Sequence, residues 1–148
     1  MKMLFLLVGL VACSDKEPPP ATSKPLVVDE IVMVGPATFG EPIPLELAHS
    51  SGSMALTKDT YVDTNPHWNL LGIKPFSAIY MANQGRLVVV MMTLDSGDMY
   101  AMGEELVEKY GEPQIDGEKR SWKGSSIQVV MMPDDPLIGS GLVIGQIG

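Results

Sequence analysis

The spacing of hydrophobic and polar positions changes several times along the chain. Met3 to Ala12, "MLFLLVGLVA", is ten residues without a charge, and it stops at Cys13. "SDKEPPPATSKP" follows, polar and rich in proline. Residues 26–34, "LVVDEIVMV", are rich in β-branched side chains and predict a strand. Residues 35–69 are punctuated by Gly35-Pro36, Gly40, Pro42, Pro44 and "HSSGS", which predicts loops with one or two short strands. Order increases from Leu70 onward. "FSAIYMA" (76–82) alternates, with Phe76, Ala78, Tyr80 and Ala82 on one side and Ile79 and Met81 on the other. Asn83-Gln84-Gly85 has the chemistry of a short hairpin loop. "RLVVVMMTL" (86–94) returns as a strand that is apolar on both faces, hence central and covered by a helix on one side.

The spacing predicts that helix over 96–110. Asp95 or Ser96 can cap it, and Asp98 sits in the first turn, where the helix dipole favours a negative charge. Met99, Met102, Leu106 and Tyr110 form one apolar stripe, while Glu104, Glu105 and Glu108 face outward. Gly111 ends the helix and Pro113 forbids its continuation. "KRSWKG" and "SIQVVMM" predict two more strands, Pro133-Asp134-Asp135-Pro136 a sharp turn, and "GLVIGQI" a final edge strand. The expected class is α+β: a small antiparallel sheet with one amphipathic helix packed on a face.

Composition narrows the field. The chain has 148 residues, 45% hydrophobic and 19% charged, which suits a globular domain. Its formal charge is -8, and without residues 1–12 it keeps 9 basic against 18 acidic residues, a net -9. Arg86, Lys109, Lys119, Arg120 and Lys123 lie near carboxylates or apolar residues and form no basic stripe. That argues against a nucleic-acid partner, which needs clustered Lys and Arg. Cys13 is the single cysteine, so no disulfide can form within one chain.

The first segment changes the picture most. Ten apolar residues are too few to span a bilayer, which takes about 20, and match a signal-peptide core. Leu10-Val11-Ala12-Cys13 resembles the lipobox of bacterial lipoproteins. The resemblance implies cleavage before Cys13, lipid on its sulfur and acyl chains on the new amino terminus. Cysteine suits this role because its thiolate is the strongest side-chain nucleophile. Ser14 in second place of the mature chain then implies sorting to the outer membrane, facing the periplasm. The expected organisation is a signal peptide at 1–12, a lipidated cysteine with a proline-rich tether at 13–25, and one globular domain at 26–148. A dozen extended residues at about 3.1 Å each would span on the order of 35 Å. "LVEKYGEP" with a tryptophan about ten residues on is similar to a pattern in small secreted bacterial domains and lipoproteins. What that pattern implies is structural: Tyr110 packs, Gly111 caps, Pro113 stops the helix and Trp122 covers the sheet.

Candidate chemistry is sparse. His67 in "NPHWN" suits a turn, and His49 with Ser51 and Ser53 lacks the G-x-S-x-G elbow of a serine hydrolase. "DSGD" (95–98) lacks calcium-loop spacing and is explained by helix capping. "DTYVDTN" (59–65) is as weak. Eleven methionines raise copper or silver binding as an alternative, with Met91, Met131 and His67 as its candidate ligands. Adjacent strand residues point to opposite faces, however, so neither Met91-Met92 nor Met131-Met132 can chelate one ion. The expected function is a non-enzymatic, membrane-anchored envelope module that needs no cofactor. Its expected partners are the bilayer, through acylated Cys13, and an envelope protein whose contact surface the sequence does not assign; an exposed apolar patch around the Met-Met strands is the first place to look. The alternative is a periplasmic metal or small-ligand carrier.

Overall fold

The computed structural model describes residues 27–49, 53–57, 59–135 and 139–148. Cys13, its tether and the segment before them lie outside these residues. A single 3-10 turn, Val28–Glu30, opens the fold. A two-stranded ribbon follows, β1 (Met33–Val34) and β2 (Ala37–Thr38), then a short helix α1 (Leu45–His49). β3 (Ser53–Thr57), β4 (Thr60–Asp63), β5 (Ser77–Asn83) and β6 (Arg86–Thr93) precede the main helix, α2 (Ser96–Tyr110). β7 (Gln114–Asp116), β8 (Lys119–Lys123), β9 (Ile127–Asp135) and β10 (Gly139–Gln146) complete the chain. β3 to β10 form one antiparallel eight-stranded sheet in the order β3-β4-β5-β6-β10-β9-β8-β7. The class is mixed α+β, dominated by the sheet.

The hairpin β5–β6 forms as its loop predicts. Gln84 and Gly85 both take positive φ, 53° and 77°, between the paired Asn83 and Arg86. That is a two-residue loop whose twist matches the strands it joins. A register shift between Met81 and Ala82 lets Leu87 and Val90, three residues apart, both bury on one face. Strict alternation would have sent one of them outward.

α2 also follows its local signals. The Asp95 side chain accepts the Asp98 N–H at 2.7 Å, and the Gly111 N–H closes the last turn on the Val107 carbonyl at 2.9 Å. Met99, Met102, Gly103 and Leu106 are buried against β9 and β10, and Glu104, Glu105 and Glu108 are exposed.

Three expectations are corrected. β10 is central, between β6 and β9, and not an edge strand: Leu142 and Ile144 are fully buried where inward positions meet both neighbours. Residues 133–135 continue β9 instead of turning. The Ser140 hydroxyl donates to the Pro133 carbonyl beside a bulge, a place where a strand tolerates proline. Residues 27–34 are a 3-10 turn and a two-residue strand, not one strand.

Tertiary contacts explain the last case. The Asp29 carboxylate accepts five hydrogen bonds at the β8–β9 turn. They come from the N–H and hydroxyl of Ser125 (2.8 and 2.7 Å), those of Ser126 (2.8 and 3.0 Å) and the Ile127 N–H (2.9 Å). The Ser125 hydroxyl, then the backbone donors, hold its carboxyl well below the usual range. Next to it, Glu30 pairs with Lys109 at 2.9 Å and accepts the Tyr110 hydroxyl at 3.0 Å, and Lys109 lowers its carboxyl too. Burial first, and then Glu30, push the Tyr110 hydroxyl up.

Candidate functional site

Residues opposite one another in neighbouring strands share a face. One row, Ala78, Met92, Leu142 and Met131, is buried on the inner face, and the next, Tyr80, Val90, Ile144, Val129 and Trp122, is buried beside it. α2, α1 and the opening 3-10 turn cover this face: Met102, Leu106, Leu47 and Val28 join the same core. The outer face has a different row, Val62, Ile79, Met91, Val143 and Val130, running across five adjacent strands. All five are half-buried, and among the described residues no helix packs over them. Met81 and Val89 extend the apolar area, with Met81 36% exposed. Five strands at about 4.8 Å make a stripe roughly 19 Å wide. It fades into polar Ser121 and Gln114 on β8 and β7.

A second surface lies where α2 crosses β8 and β9. A hollow of about 380 Å³ runs between Met99, Gly103 and Val107 on the helix and Arg120 on β8. A Cβ at Gly103 would meet only ordinary van der Waals contacts, 3.6 Å from the Met131 thioether and 3.8 Å from the Arg120 guanidinium. Tyr100, 71% exposed, stands at its rim, and its hydroxyl is held up by Glu104.

A third is the recess beside Trp68. Gly35, at φ +60°, turns β1 into β2 so closely that a Cβ there would be 2.5 Å from the indole nitrogen. Only glycine fits both the conformation and the contact. The indole N–H and the Tyr80 hydroxyl are buried as neighbours, yet neither closes a hydrogen bond. Burial first, then the Asp63 carboxylate, push the Tyr80 hydroxyl up, against the Trp68 N–H. Pro36, Glu46, Leu47, Asp63, Asn65 and His67 complete a recess of about 320 Å³.

The structure does not bring the proposed metal ligands together. Met91 lies on the outer face, Met131 is buried on the inner one, and His67 is exposed in the loop after β4. The three cannot reach one ion through the sheet. Among the described residues no group of three His, Cys, Asp or Glu is placed to hold a metal. Asp95 caps α2, as expected of "DSGD", and Asp63 accepts the Asn65 N–H at 3.0 Å in a local turn. The side chains of His49, Ser51 and Ser53 lie outside the described residues, as does Cys13. Sequence reasoning missed the recess because Pro36, the Glu46-Leu47 pair and the 63–68 segment come from three separate stretches, and no local pattern joins them. The one signal was a tryptophan inside a turn sequence, where a large apolar ring needs a partner from elsewhere.

No described helix is long and apolar enough to cross a membrane. Comparison with family models, with curated proteins and with solved structures finds no match.

Proposed function

We propose that this chain is a lipid-anchored protein of the bacterial cell envelope, a non-enzymatic module that docks a protein partner on the outer face of its sheet. The observation that carries the docking surface is the row Val62, Ile79, Met91, Val143 and Val130, apolar across five strands and uncovered among the described residues. Contiguous apolar surface of this kind marks interaction sites, and methionine adapts its shape to more than one partner contour. The support for the anchor is the apolar run that ends at Cys13, with polar, proline-rich sequence after it. The two parts reinforce each other. A stripe about 19 Å wide suits a modest contact, and confinement to one membrane raises the effective concentration of partner enough to populate it.

Two measurements test the proposal separately. Intact-mass analysis of the protein from its native cells should find residues 1–12 removed and Cys13 acylated, and Cys13→Ser should leave the membrane fraction. An unmodified sulfur overturns the anchor. A photo-crosslinker at Met81 should give one discrete adduct in the native envelope, lost when Val143→Lys places a charge in the stripe. An adduct pattern unchanged by Val143→Lys, in protein that still folds, overturns the docking face.

A further inference from the structure

The Trp68 recess offers a chemistry that the outer face does not. Its volume, about 320 Å³, falls within the range of small-molecule pockets. Trp68 provides an aromatic wall, fixed in place by its close approach to Gly35. Two carboxylates stand beside it with acceptor capacity to spare. Asp63 uses Oδ1 on the Asn65 N–H, while its Oδ2 and both oxygens of Glu46 make no hydrogen bond or ion pair among the described residues. None of the described residues lining the recess is Lys or Arg.

The indole ring and the two carboxylates that line the recess act in the same direction on a guest: both attract positive charge. The same groups repel an anion. A bare metal ion would need a fuller ligand set than the described residues assemble. We infer that the recess binds a small organic cation of the alkylammonium class, with its charged head between Glu46 and Asp63 and its methyl or methylene groups against Trp68. This site is independent of the outer face and of the lipid anchor, so neither proposal depends on the other.

Choline and its neutral isostere 3,3-dimethylbutan-1-ol make the test, added to the full chain and followed through the two tryptophan indole N–H signals by NMR. Choline should shift the Trp68 signal saturably and leave Trp122 still, and the neutral alcohol should do neither. Glu46→Gln and Asp63→Asn should each weaken choline by roughly fivefold, the scale of one partly exposed ion pair. Glu46 is exposed, so Glu46→Gln keeps the test valid if Asp63→Asn disturbs the fold. Equal binding of the alcohol overturns the inference, because the recess is then merely apolar. So does the absence of saturation up to about 20 mM, a concentration at which even millimolar affinity is visible. Equal shifts with sodium chloride overturn it as well, since they would mark only a diffuse acidic surface.

Discussion

The two tryptophans sit in opposite circumstances. Trp122 is buried on β8, and its indole N–H donates to the Gly111 carbonyl at 2.8 Å, just past the end of α2. One side chain thereby covers the sheet and satisfies a helix terminus, and nothing polar is left over. Trp68 is only half-buried as a residue, yet its N–H is shut away without a partner, beside an equally unpartnered Tyr80 hydroxyl. Burying polar groups unpaired costs free energy. The difference teaches where the molecule is settled and where it is not. The Trp122 corner is built for stability, and the Trp68 corner tolerates a loss beside an open recess.

Substitutions can break or sharpen that contrast. Trp122→Ala should cost about 3–5 kcal/mol in urea unfolding, the usual range for a core aromatic. Trp68→Ala should cost clearly less, and an equal cost would erase the distinction. Gly35→Ala should lower stability by about 1–3 kcal/mol, since it combines a positive φ with a contact at 2.5 Å. Adding Trp68→Leu should recover part of that loss, and a double-mutant cycle with no coupling would show that the contact is unimportant. Tyr80→Phe removes an unpaired buried hydroxyl and should change stability by less than about 1 kcal/mol.

Acid unfolding probes the opening turn, next to the Trp122 corner. The Asp29 carboxyl is lowered in the folded state, so its stabilisation is fully present above the unfolded value, about 3.9. It is lost as pH falls from there through the folded value. Asp29→Asn should therefore lower the melting temperature at pH 7 and flatten its dependence on pH below about 4. An unchanged acid slope would mean that the five hydrogen bonds contribute nothing net. The smallest effect belongs to the β5–β6 loop, where Gln84→Gly should stabilise by roughly 0.5 kcal/mol, by relieving a positive φ.

What could be read from sequence was what neighbours along the chain decide. The cap at Asp95, the stop at Gly111, the Met99–Leu106 stripe and the Gln84-Gly85 loop each depend on a few consecutive residues, and the structure has them all. β10 was misplaced because its position depends on pairing with β6 about fifty residues earlier, which no local signal reports. Val28–Glu30 was misassigned because the donors that capture Asp29 lie almost a hundred residues away. β7 went unrecognised since three exposed residues carry no periodicity. The recess was invisible because it is assembled from three stretches that meet only when the sheet has formed.

Asp29 and Glu30 have a mechanical meaning as well. They are among the first described residues, so any pull arriving along the preceding chain meets them before it reaches the sheet. Five hydrogen bonds to the β8–β9 turn and an ion pair to α2 divide that load between two separate elements. The first described turn is therefore held by two elements at once, and a force reaching it is shared between the sheet and the helix.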